Sequence, residues 1–93
     1  MENMEMVGYI YTAGNFPRTF KENDKLYVVQ GPEMIQGQIH LLQQDDGLAI
    51  KRIYRQDNGL YTLTDEANPP QMEANPAIIG HVVGYERMFS AEQ

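Results

Sequence analysis

Apolar and polar positions alternate with a period of two along most of the chain, in short runs. Residues 6–11, 25–30 (KLYVVQ), 38–42, 48–55, 60–63 (LYTL) and 77–85 (AIIGHVVGY) each read as a β-strand. The breakers fall between them: Gly31-Pro32, Gly37, Gly47, Asn58-Gly59, and the stretch from Asn68-Pro69-Pro70 to Asn75-Pro76. No segment carries the 3.6-residue period of an amphipathic helix. Short strands separated by frequent turns predict a mainly β, antiparallel fold in a single domain over 1–93, built as a sandwich, a barrel or a coiled sheet.

Two strands depart from a clean pattern. Residues 77–85 place apolar side chains on both faces through Ile78, Ile79, Val82, Val83 and Tyr85, and a strand apolar on both faces is expected to be covered on both. A small sheet supplies little cover, so these five residues are the candidate interface of a homodimer. Gly80 and Gly84 interrupt the run and predict a bulge or a close backbone approach. In 48–55, Lys51 stands between Ala49 and Ile53 on a face where core residues are expected. One reading is a lysine that snorkels, its stem on apolar surface and its amine in water. The other is a desolvated amine, because a neutral lysine can act as general base for a hydroxyl nucleophile.

Composition narrows the chemistry. The 93 residues carry 13 acidic and 7 basic side chains, a net charge of −6. Such a chain lacks the cationic surface that nucleic-acid phosphates and anionic membranes require. No apolar run approaches the roughly 18 residues of a membrane span, and the first residues lack the basic and apolar regions of a secretory leader. With no cysteine there is no disulfide, thiolate metal site or cysteine nucleophile, which fits a cytoplasmic setting. His40 and His81 each alternate with apolar neighbours and read as half-buried strand residues, so no metal and no cofactor is expected. The single serine, Ser90, lies near the C-terminus. Asp45-Asp46 and Asp57 sit in Asp-Gly and Asp-x-Gly contexts and read as turn residues.

Several short motifs occur together in one order. They are Asn23-Asp24 before KLYVV, Gly37 to Leu42 (GQIHLL), Gly47, Ile50-Lys51-Arg52, Leu63, Asn68-Pro69 and Ile79-Gly80-His81-Val82-Val83. This array resembles the LexA-like, S24-type peptidase domain over roughly residues 8–87. In that family the domain is mostly β, dimerises, and cleaves its own chain with a serine and a lysine. The resemblance places Lys51 on the lysine. It places Asn15, within Ala13-Gly14-Asn15-Phe16-Pro17-Arg18-Thr19-Phe20, on the serine. Phe16 then stands where the family has methionine, and the proline has moved one place, to Pro17. An asparagine amide has no hydroxyl proton for a lysine to remove.

The resemblance therefore implies a degenerate dyad, Asn15 and Lys51, in a domain that is not an enzyme. It would serve dimerisation and regulation in a LexA-like or phage-type transcriptional repressor. Relatives of the repressor type carry a helix-turn-helix module ahead of this domain, and none is present in this chain. The chain reads either as an excised domain or as a free-standing small protein. Ala13-Gly14 matches the dipeptide type that the family cleaves, but it abuts the lost nucleophile instead of lying well upstream. Two other readings stay open. One is an active autopeptidase with Thr12 or Thr19 as nucleophile. The other is an unrelated small β-barrel interaction module whose lysine snorkels.

Overall fold

The computed structural model describes residues 7–12 and 14–87. Ala13, Ser90 and Met88, the far bound expected for the interface strand that starts at Ile78, lie outside the described residues. Among the described residues seven strands form: β1 (Val7–Tyr11), β2 (Lys25–Gln30), β3 (Ile39–Gln44), β4 (Gly47–Arg55), β5 (Tyr61–Thr64), β6 (Gln71–Glu73) and β7 (Ala77–Glu86). They make one antiparallel sheet in the order β1-β2-β7-β3-β4-β5-β6. Among the described residues the sheet stays open, with β1 and β6 as its edges.

The predicted runs became strands because turn chemistry lies where the chain must reverse. Asp45-Asp46 joins β3 to β4, whose ladder closes on Gln44 opposite Gly47. Between β4 and β5, Asn58 Oδ1 accepts from the Leu60 amide at 3.0 Å, an Asx turn that starts the return strand. Strand β6 has no counterpart among the predicted runs. Three residues between Pro70 and Pro76 show no period, and the ladder with β5 alone makes them a strand.

Apolar side chains collect in two clusters on opposite faces. The larger holds Leu26, Val28, Ile39, Leu41 and Ile50 from the sheet, covered by Phe16 and Phe20 from the segment between β1 and β2. The two phenyl rings meet edge to face, with centroids 6.0 Å apart. The smaller cluster is Leu42, Ile53 and Leu63, with Met34, Tyr61 and Ile78 packed against it. One core layer is thus sheet against loop, not sheet against sheet.

Strand β7 runs between β2 and β3, in the interior of the sheet. Its register slips twice. Leu41 faces Gly80 while Leu42 faces Ile78, and Tyr27 faces Gly84 while Val28 faces Val82. Ile79 and Val83 are the extra residues, so each slip is a β-bulge. The bulge at Ile79 lets Ile79 and Val82, three residues apart, share one face. Ile79 and Val82 pack on the larger cluster and Ile78 on the smaller. Full cover on both faces does not follow: Val83 is 55% and Tyr85 52% exposed within the chain. Both backbone edges of β7 are already paired, so a partner could meet this strand only through a face.

Gly80 permits a close approach to β2, and Gly84 does not carry one. A Cβ on Gly80 would lie 2.4 Å from the Val29 carbonyl oxygen and 2.8 Å from Val28 Cγ1, whereas one on Gly84 would meet nothing within 4 Å. Gly80→Ala must separate β2 from β7 and should cost about 1–3 kcal/mol or more. Gly84→Ala should change stability by no more than about 0.5 kcal/mol. Urea unfolding of the two variants checks this, and equal losses would show that the backbones are not in contact at Gly80.

Candidate functional site

Strand β5 follows β4 only from Tyr61, opposite Arg55, to Thr64, opposite Arg52. The next rung would set Asp65 against Lys51, and there the ladder stops. Both side chains point to the face that also carries Ile53 and Leu63. Lys51 Nζ donates to Asp65 Oδ2 at 2.8 Å, with the two side chains 7% and 0% exposed. Lys51 therefore does not snorkel. It forms a buried ion pair.

Asn15 occupies the gap left where β5 turns away. Its Nδ2 donates to the Ile50 carbonyl at 2.8 Å, in place of a strand partner, and to Asp65 Oδ2 at 3.1 Å. Both neighbours are acceptors, which fixes the amide orientation. Asn15 Oδ1 is left buried with no partner among the described residues. The backbone repeats the link, with the Glu66 amide donating to the Asn15 carbonyl at 2.9 Å. The sequence-derived pair Asn15 and Lys51 thus converges on one carboxylate oxygen.

Asp65 is the member that the sequence did not reveal. Its Oδ1 accepts from the amides of Ala67 at 3.0 Å and Asn68 at 2.7 Å, and Asn68 Nδ2 donates to Oδ2 at 3.0 Å. Burial by itself would raise the pKa of this carboxyl. The bonds from Lys51, Asn68 and Asn15 outweigh it and hold Asp65 well below the usual carboxylate range. The available signal was positional: extending the Asn58-Gly59 hairpin one rung past Thr64 sets Asp65 opposite Lys51.

The segment carrying Asn15 is anchored at both ends. Glu66 accepts from the Arg18 amide at 2.5 Å and from the Thr19 hydroxyl. Asp24, buried at the start of β2, takes Arg87 in a two-pronged pair at 3.0 and 2.8 Å and the Lys21 amide at 2.8 Å. Arg87 foremost among these holds the Asp24 carboxyl below its ordinary pKa. Asn23, just before it, has φ of 72°, a left-handed conformation that asparagine tolerates better than most residues.

The hydroxyls of Thr12 and Thr19 bond elsewhere. Thr12 Oγ1 donates to the Lys21 carbonyl and Thr19 Oγ1 to Glu66, so neither faces Lys51 in this network. The side chains bonded to Asp65 are Lys51, Asn15 and Asn68, none of which carries a hydroxyl or a thiol.

His40 lies on the rung between His81 and Lys51, and its ring centroid is 6.2 Å from that of His81. Its Nε2 accepts from the Ile35 amide at 3.0 Å, so Nδ1 carries the hydrogen bonded to the Gln38 carbonyl at 2.9 Å. Burial, chiefly, lowers its pKa, with a smaller contribution from His81. Protonation would put a second hydrogen against the Ile35 amide. Among the described residues no group of three or more His, Asp or Glu side chains is placed to hold a metal ion. No protein-family model matches the chain, and no curated protein matches it in sequence.

Removing one partner of a buried ion pair strands the other charge. Asp65→Ala should therefore cost about 3–5 kcal/mol, and Lys51→Met less, because Asp65 keeps its bonds to Ala67, Asn68 and Asn15. Chemical denaturation of both variants tests the ranking, and a costlier Lys51→Met would reverse the assignment of Asp65 as hub.

Stability should also fall with acid in two stages. His40 has a depressed folded pKa, so the unfolded chain takes up protons first and stability declines below about pH 6.5. Asp65, also depressed, contributes stability above its unfolded pKa of about 3.9 that is lost as pH falls below it. His40→Gln should remove the upper stage only. An unchanged profile in that variant would show that His40 is not the group responsible.

Proposed function

We propose that the chain is a non-catalytic dimerisation and regulatory domain of a LexA-like or phage-type transcriptional repressor. The observation that supports this reading most is the meeting of Asn15 and Lys51 at Asp65 Oδ2, since the two positions lie far apart in sequence. An alignment that put asparagine on the family's serine requires such a meeting; an unrelated sheet with a surface lysine does not. The Asn23-Asp24 corner adds support, because the left-handed φ at Asn23 suits a position where the family has glycine.

In this reading the site has exchanged chemistry for structure. To act as a base Lys51 needs a hydroxyl to deprotonate, and the neighbouring Asn15 amide carries none. Asn15 instead ties the β1–β2 segment to β4 and Asp65. The domain contributes self-association, and DNA contact falls to a separate module, in keeping with the net charge of −6.

The test is cleavage of the chain itself or of a supplied peptide, followed by mass spectrometry at neutral and alkaline pH. Wild type should give no fragments. Asn15→Ser restores a hydroxyl beside Lys51 and should give slow cleavage that disappears in Asn15→Ser with Lys51→Ala. A misplacement of about 1 Å costs roughly a hundredfold in rate, so the serine variant needs long incubation. Lysine-dependent fragments from wild type would overturn the non-catalytic reading.

A further inference from the structure

The two edges of the sheet differ. Strand β6 is three residues long, ends in Glu73 and lies between Pro69-Pro70 and Pro76, the devices that keep an edge from pairing. Strand β1 has five residues, VGYIY, with no proline and no charge. In a chain of net charge −6, residues 7–12 form a neutral interval along a backbone whose outer edge has no strand partner among the described residues.

The ladder tells which backbone groups of β1 are free. Thr12 donates its amide to the Asp24 carbonyl at 3.1 Å, on the rung next to Tyr11 opposite Lys25. Hydrogen-bonded and non-bonded rungs alternate in an antiparallel pair. Ile10 and Gly8 therefore point their N–H and C=O groups at β2, while Val7, Tyr9 and Tyr11 point theirs outward. The outward set is self-complementary. A two-fold axis at Tyr9 sets Tyr9 against Tyr9 of a second copy, each donating to the other, and Tyr11 against Val7.

We propose that β1 is the self-association edge of this protein, pairing antiparallel with β1 of a second copy into one continuous sheet. The proposal rests on the dimerisation reading above and changes where the copies meet, from the faces of β7 to the edge of β1. Because β6 is blocked, edge pairing closes at two copies instead of growing into a fibre. The side chains assist. Tyr9 and Tyr11 are 54% and 57% exposed and stand edge to face at 5.7 Å, on the face where Lys25 Nζ lies 4.5 Å from the Tyr9 ring centroid. Pairing brings the two Tyr9 rings together as cross-strand neighbours. One short strand pair is a small interface, so the association is weak and concentration-dependent.

Sedimentation or light scattering of the full chain over about 1–500 µM tests it, the range suited to a small interface. Wild type should rise toward twice the monomer mass. Tyr9→Pro deletes an outward N–H and leaves the β1–β2 ladder whole, so it should stay monomeric with an unchanged far-ultraviolet spectrum. Ile10→Pro, which deletes an inward bond, should lose the fold instead. If Tyr9→Pro also loses the fold, Tyr9→Lys decides, since its half-exposed side chain tolerates a charge that opposes pairing. With no native cysteine, air-oxidised Tyr9→Cys should form a disulfide-linked dimer, because a hydrogen-bonded rung sets Cα atoms about 5.5 Å apart. A dimer that survives both Tyr9→Pro and Tyr9→Lys overturns the β1 assignment and leaves the dimerisation reading standing. A wild type that stays monomeric over the whole range overturns both.

Discussion

A carboxylate sealed from water must be met by donors on nearly every side, and Asp65 imposes that demand across three parts of the chain. Five donors from four residues answer it: the Lys51 ammonium, the Asn15 amide, the Asn68 amide, and the backbone of Ala67 and Asn68. These residues come from three separate parts of the chain. Satisfying the charge therefore fixes the β1–β2 segment, the middle of β4 and the turn after β5 against one another. Phe16 follows Asn15 directly, so the same constraint sets the ring that covers the larger core cluster. Polar satisfaction and apolar burial are coupled here through adjacent residues.

That coupling has consequences for chemistry. An amine held at 2.8 Å by an ionised carboxylate is placed as a hydrogen-bond donor, and its other neighbour, Asn15, is a donor to the same oxygen. A site built to remove a proton from a hydroxyl needs a free lone pair facing that hydroxyl. Asn15 Oδ1, without a partner among the described residues, is a remaining acceptor on the network. The arrangement suits a joint better than a dyad, which is why the proposed role is assembly.

Much of the sheet was legible because strand formation here is local. Period-two runs and the Asp45-Asp46, Asp57-Asn58-Gly59 and Asn-Pro turns mark where the chain extends and reverses, and Gly80 marked the close approach to β2. Strand β6 was not legible, since its conformation comes from the neighbouring ladder and not from its own three residues. Lys51 was conspicuous as a charge among apolar neighbours. Asp65 was not, because an Asp after a Thr-rich strand resembles any solvated turn until the rung opposite it is known. The exposure of Val83 was hidden for a similar reason: two bulges in β7 shift the face of every residue beyond them, and a strict period of two cannot report them.

The joint holds only while Asp65 stays ionised in the grip of Lys51, Asn15 and Asn68. Carbon-13 NMR of the Asp65 side-chain carboxyl, followed as the folded protein is acidified, reads that state directly. The carboxyl resonance should stay in its ionised position through the range where ordinary aspartates titrate, about pH 3.9. A normal titration in that range, with the fold intact, would contradict it.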